Sequence, residues 1–228
     1  MKEYHKIHSI YKRDPKTNYK TFLEGEFSRP EFEYLFYNQW LSTEKVDGTN
    51  IRIIVFTYKE VPDSRKEISF EIKGKTDKAQ IPIFLMDKLK EIFTNDKIEL
   101  LSDLVEAPEV CLYGEGYGAR INKGGVYIPN GVDFILFDVK IGDWWLKRED
   151  VEEIAKKLEI QIVPIIAVGT LQQAIASIKL ENVISKLRVD GGLAEGLVLK
   201  PIIELRDRAG RRIITKIKHK DYNIKEEK

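Results

Sequence analysis

A chain of 228 residues with 43% hydrophobic and 33% charged side chains can bury a substantial apolar core, and its 38 basic against 37 acidic residues exclude a protein that binds polyanions through overall charge. A single cysteine, Cys111, excludes an intrachain disulfide and fits a reducing compartment, and no apolar run approaches the roughly 20 residues of a membrane span. The polar start M-K-E-Y-H-K is not a secretory signal, so a cytoplasmic protein is expected.

Residues 1–40 end in the aromatic-rich stretch E-F-E-Y-L-F-Y-N-Q-W, expected to cover a sheet. The β-branched run Ile51 to Phe56 predicts a buried strand, and Ile68 to Lys73 a second. Phe84 to Phe93 places Leu85, Leu89 and Ile92 on one helical face. Two further strands follow at Val110 to Glu115, with Cys111 as a buried structural thiol, and at Asp133 to Val139. Val151, Ile154, Ala155 and Leu158 keep helical spacing, and Thr170 is a fitting N-cap for a helix carrying Leu171, Ala174, Ile175 and Ile178. Strands at Leu197 to Lys200 and Arg212 to Lys220 close the chain, before a K-E-E-K end expected to fray. Strands outnumber helices without regular alternation, which predicts an α+β protein with antiparallel sheets, read as one domain over 1–228.

The chemistry-bearing residues stand at strand edges. There is no G-x-x-x-x-G-K-[ST], Y-G-E-G-Y-G is a weak dinucleotide fingerprint, and three histidines with one cysteine make a zinc site improbable. His219, among lysines, reads as a solvated residue. Lys45 with Asp47, Glu115, Asp138, Glu195 with Lys200, and Lys216 with Lys218 each interrupt or close an apolar run. Singly they are ordinary: a lysine before a strand usually snorkels to the surface, and an acid in a Gly-rich turn is usually solvated. Together they can converge at one sheet edge, where burying charge is costly unless it serves a function.

K-V-D-G at 45–48 resembles the K-x-D-G signature of the covalent nucleotidyltransferases, the superfamily of ATP-dependent polynucleotide ligases and messenger-RNA capping enzymes. Y-G-E at 113–115, F-I-L-F-D-V at 134–139, E-G-L-V-L-K at 195–200 and K-I-K at 216–218 follow in that superfamily's order. E-K-V-D-G-T-N is most similar to RNA ligases of the phage RNA ligase 2 type. The resemblance implies an ATP-grasp-like adenylation fold, antiparallel sheets flanked by helices around a central nucleotide cleft. It also implies a monomeric, ATP-dependent RNA ligase that joins 5′-phosphate and 3′-hydroxyl ends through lysyl-AMP.

The resemblance assigns residues as well. Lys45 is the nucleophile, and burial, neighbouring cations and a divalent metal press its amine toward the neutral form that attack requires. Lys216 and Lys218 alternate with Ile217, so they share a face and serve catalysis by stabilising phosphate charge; Lys220 ranks second to Lys218. Glu44, Lys45, Asn50, Lys75, Glu115, Phe134 and Glu195 are the expected nucleotide contacts. Among them Glu115 meets a ribose hydroxyl, and Phe134 stacks on adenine with Phe137 as the alternative on the opposite face. Glu195 and Asn50 serve Mg2+ or Mn2+, Glu195 directly and Asn50 through the water shell. Lys75 in K-G-K-T-D-K-A-Q stands where these ligases carry an arginine, a point charge in place of a planar fork. Arg120 is open between a phosphate contact and a surface residue. Only ten residues follow Lys218, so no C-terminal OB-fold or helical domain is evident. The alternatives are a DNA ligase or capping guanylyltransferase core, and a catalytically silent nucleic-acid-binding module.

Overall fold

The computed structural model describes residues 3–59 and 66–222. The chain divides into two compact units, Met1–Tyr4 with Asp47–Ile162 and His5–Val46 with Val163–Lys228. The fold is α+β, with mostly antiparallel sheets, as the strand-rich and irregular element order predicted. Among the described residues no helix is long and apolar enough to cross a membrane.

The first unit is built on a six-stranded sheet. Its long strand Thr49–Lys59 pairs antiparallel with Lys66–Lys73 on one side and Glu109–Gly118 on the other, and Val132–Ile141 continues the sheet. Period-two alternation sends Ile51, Ile53 and Val55 to one face. There they pack on Leu85 and Leu89 of helix Ile83–Ile92, Ile98 and Leu101 of helix Asn95–Val105, and Val151 and Ile154 of helix Arg148–Lys157. The opposite face carries Ile54, Cys111 and Tyr113, covered by Tyr4, Phe137 and Trp145. Burial pushes the Cys111 thiol up to about 12, the inert structural cysteine expected. A bulge sets Tyr113 opposite Asp138 but Gly114 opposite Leu136, which leaves Phe137 as the extra residue.

The second unit holds a five-stranded sheet in the order His8–Ser9, Thr215–Lys218, Gly196–Pro201, Trp40–Glu44, Ile165–Gly169. The strand Trp40–Glu44, which leads into Lys45, was not anticipated, because W-L-S-T-E contains only two apolar residues. All five are buried nonetheless, since the strand lies between two neighbours in the sheet and Thr43 Oγ1 donates to the Val198 carbonyl at 3.3 Å. The aromatic N-terminal segment covers this sheet as expected: Phe32 and Trp40 share a core with Leu197, Leu199 and Ile217. Thr170 forms the anticipated N-cap, a reciprocal capping box with Gln173 on helix Leu171–Ala176. The last expected strand is shorter than read, Thr215–Lys218, and gives way to a 3-10 turn at His219–Tyr222. The K-E-E-K end lies outside the described residues.

Candidate active site

In the second unit the structure brings together three residues that the sequence keeps far apart. The Lys45 backbone N–H donates to the Gly196 carbonyl at 2.9 Å, which fixes the lysine beside the residue that follows Glu195. Lys45 Nζ then donates to Glu195 Oε2 at 2.5 Å, across 150 residues of sequence, and to the Val46 carbonyl at 3.3 Å. Lys218 Nζ donates to the other oxygen of the same carboxylate. Glycine follows Glu195 because a Cβ at Gly196 would stand 2.0 Å from the Ile217 carbonyl oxygen; strands Gly196–Pro201 and Thr215–Lys218 meet there without room for a side chain. Burial would raise the Glu195 carboxyl, but the Lys45 charge and the bonds from Lys218 and Lys45 outweigh it and hold the group below its ordinary value.

Lys216 shares the Lys218 face, while Ile217 between them is fully buried in the core, as alternation predicted. Burial first, then the charges of Lys218 and Lys45, lower the Lys216 amine to about 8. Lys220 lies past the strand end, on the 3-10 turn, and is exposed. His219 corrects the expectation of a solvated ring: it is 4% exposed. Its Nδ1 carries the proton donated to the Ala194 carbonyl at 2.8 Å, and its backbone N–H donates to the Glu195 carbonyl at 3.3 Å. The Asp221 carboxylate, also buried, accepts from the Lys218 backbone N–H at 3.2 Å and from Arg13 at 2.7 Å. These two residues position Glu195 and Lys218, and the H-K-D run carried no sequence signal that separated them from a basic tail.

Glu44 is a second correction. The sequence grouped it with the nucleotide contacts, but its carboxylate is buried and accepts from Ser185 Oγ and, at 2.8 Å, from the Lys186 backbone N–H. Burial raises this carboxyl even though both bonds favour its ionised form. Adjacent residues on an extended chain point to opposite sides, so Glu44 fastens the loop at 185–186 while Lys45 turns to Glu195.

The first unit carries the remaining candidates. Asn50 and Glu115 are cross-strand partners and so share a face. Asn50 Oδ1 is buried and meets no hydrogen-bond donor among the described residues. Gly48 is required by close approach, since a Cβ there would sit 2.4 Å from the Gly116 carbonyl oxygen and 2.6 Å from Glu115 Cγ. Two residues that sequence reasoning missed fasten this turn. Asn122 Nδ2 donates to the Gly48 carbonyl at 2.6 Å and to Asp47 Oδ1 at 3.4 Å, and the Asp47 N–H donates to Tyr127 Oη at 3.3 Å. Lys75 is exposed on a loop anchored by fully buried Arg52, which donates to the Gly74 carbonyl at 2.9 Å and to Asp77 at 2.8 Å. Arg120 is also exposed.

Phe134 is a third correction. It is 1% exposed, stands edge-on to Phe93 with ring centroids 5.1 Å apart, and belongs to the core packed on the helices. That is the face opposite Asn50 and Glu115, because Phe134 pairs with Gly116 and not with Glu115. Phe137 does lie on the other face, as alternation required, but its ring packs against Tyr4 at 5.1 Å.

Among the described residues no group of three or more histidine, cysteine, aspartate or glutamate side chains is placed to hold a metal ion. Each unit offers a hard oxygen donor, the orphaned Asn50 Oδ1 in the first and the Glu195 carboxylate in the second. Hard oxygens of this kind suit an ion such as Mg2+.

The family model for RNA ligase matches residues 38–218, well over half of the chain. No protein of curated function matches the sequence. Among solved structures, the Naegleria gruberi RNA ligase with PPi superimposes with a TM-score of 0.57 at 19% identity, covering 96% of this chain and 58% of that one. A variant of the same enzyme with ATP and Mn gives 0.54 at 17%, covering 83% and 52%. A putative ATP-dependent DNA ligase from Aquifex aeolicus gives 0.58 at 19%, covering 95% and 50%. The chain thus spans about half the length of these structures, and at such identities they establish the fold. The matched segment contains every element from the strand before Lys45 to the strand that ends at Lys218, and on it the chain belongs to the RNA ligase family of the covalent nucleotidyltransferase superfamily.

Proposed function

We propose that the protein is an ATP-dependent RNA ligase that captures AMP on Lys45 and then seals a 5′-phosphate to a 3′-hydroxyl. In the first step the neutral Lys45 amine attacks the α-phosphorus of ATP, an N–P bond forms, the bond to the β-phosphate oxygen breaks, and pyrophosphate leaves. The amine proton passes to solvent. An oxygen of the RNA 5′-phosphate next displaces Lys45 from the adenylate, and the 3′-hydroxyl finally displaces AMP to close the phosphodiester.

Each step draws on residues already placed. Glu195 divides its two oxygens between Lys45 and Lys218, so the nucleophile is held in one position and released only when that pair parts. Lys216 and Lys218 offer two cations on one face for charge that grows on the α-phosphoryl oxygens. Glu115 is assigned to a ribose hydroxyl, and Asn50 to the water shell of a divalent ion. Lys75 is assigned to phosphate. A divalent ion such as Mg2+ or Mn2+, with Glu195 assigned as ligand and Asn50 assigned to its water shell, would neutralise phosphate charge. Solved relatives with ATP, or with AMP, and Mn support the use of a nucleotide and a divalent ion.

The observation that carries this reading is the contact of Lys45 Nζ with Glu195 at 2.5 Å in a cluster with Lys218. Incubation with α-labelled ATP or GTP and Mg2+, followed by denaturation, tests it. Label from ATP that chases onto 5′-phosphorylated RNA is expected. Label from GTP alone indicates a capping enzyme, and preferential transfer to DNA indicates a DNA ligase, a reading that the Aquifex aeolicus relative keeps in view.

A further inference from the structure

The second unit contains a cavity of about 720 Å3 that the ligation chemistry does not use in full. It is lined by Lys216, Lys218 and Lys220 and by the N-terminal segment through Lys6, His8, Lys12, Arg13, Tyr19 and Lys20. Among the described residues Asp221 is the one acid in the lining, and its carboxylate is taken by Arg13 at 2.7 Å. Lys12 is paired with Glu26 at 3.3 Å. Among the described residues Lys6, Lys20, Lys216 and Lys220 have no acidic side chain within ion-pair distance. In a chain with a net charge of only +1, this concentration of uncompensated ammonium groups is local and built.

Two further observations describe what it would bind. His8 is held below its ordinary value by burial and then by Arg29, Lys6, Arg211 and Lys216, so the wall carries a positive field before any ligand arrives. Tyr19 stands at the cavity with 60% of its surface exposed, its backbone in the left-handed region at φ 60° and tied by its N–H to the Asp14 carbonyl at 2.9 Å. An exposed ring among lysines is a stacking platform next to groups that bind backbone phosphates.

We infer that this cavity seats the RNA strand that bears the 5′-phosphate, with its backbone phosphates along Lys6, Lys20 and Lys220 and a base on Tyr19. The inference rests on the ligase reading for the identity of the strand. A free pyrophosphate makes no use of the aromatic ring and cannot use all of these lysines at once, so the leaving group is the weaker occupant.

The test separates the two. In a Lys45→Ala background, which cannot take up AMP, binding of a fluorescent 5′-phosphorylated oligoribonucleotide is followed by anisotropy over a salt series. Adding Lys6→Gln and Lys20→Gln lowers affinity at least tenfold at low salt and reduces the slope of log K against log salt by roughly 1 to 1.5. Tyr19→Ala lowers affinity about fivefold or more and leaves the slope unchanged. With Lys45 intact, the Lys6→Gln/Lys20→Gln protein still takes label from ATP. Unchanged RNA affinity in the double variant overturns the inference, and so does a loss of ATP labelling with RNA binding intact, which would place the triphosphate there. Failure of wild-type protein to take label from ATP counts against the ligase reading, while the binding arm judges the cavity separately.

Discussion

At the scale of single residues, Glu195 organises the site. It lies between two amines that the sequence places 150 and 23 residues away, and it keeps its charge against burial because both approach it. Lys216, with no such partner among the described residues, bears the cost. Its amine is lowered to about 8 in the fold, below the ordinary lysine value of 10.5, so between these values the unfolded chain binds the proton and the native one does not. Stability attributable to this group therefore rises with pH across that window, and at pH 7 the charged form carries its full penalty. Lys216→Met should raise stability at pH 7 by about 1 kcal/mol after solvent screening, or about 2–4 °C in Tm, an advantage that fades near pH 10; thermal melts at both pH values check this. The same substitution should abolish AMP capture, since it removes a phosphate contact. A lower melting temperature at pH 7 would show that Lys216 is not under the strain described.

At the scale of elements, glycine and asparagine positions hold the catalytic segments in register. Gly196→Ala drives a Cβ into the Ile217 carbonyl and the Lys218 Cα, both backbone atoms that cannot yield separately. A loss of about 2 kcal/mol or more in urea denaturation is expected, with AMP capture lost as the Glu195 and Lys218 strands separate. Asn122→Ala makes a different demand. It removes the bond to the Gly48 carbonyl from an exposed position, so stability should fall by no more than about 1 kcal/mol. The rate of AMP capture should fall roughly tenfold, because the turn after the nucleophile loses its anchor. Equal rates would remove Asn122 from the positioning set. The elements themselves were readable where periodicity was strong: Thr49–Lys59, Ile83–Ile92 and Arg148–Lys157 follow from apolar spacing alone. Trp40–Glu44 was not, because its burial comes from flanking strands and not from its own side chains.

At the scale of the whole molecule, ordered motifs conveyed more than any single residue. Their succession identified the superfamily, and alternation placed Lys216 and Lys218 on one face with Ile217 inside. What remained hidden depended on contacts distant in sequence. Glu44 reads as part of the signature until Ser185 and Lys186 are seen on its carboxylate. Phe134 reads as a base-stacking ring until the register of Val132–Ile141 sets it against Phe93, and His219 reads as solvated until Ala194 meets its ring. The division into two compact units was equally illegible, because each draws on segments from separate parts of the chain.

The central claim is that one amine, Lys45, forms the covalent bond to AMP, although a second amine, Lys216, stands nearby and is lowered to about 8. Mass spectrometry after incubation with ATP and Mg2+, with proteolysis and fragment sequencing, addresses it directly. The account predicts a single AMP per chain in phosphoramidate linkage on Lys45, present in the Lys218→Arg variant at reduced yield and absent from Lys45→Ala. An AMP adduct mapped to Lys216, or to any residue other than Lys45, contradicts it.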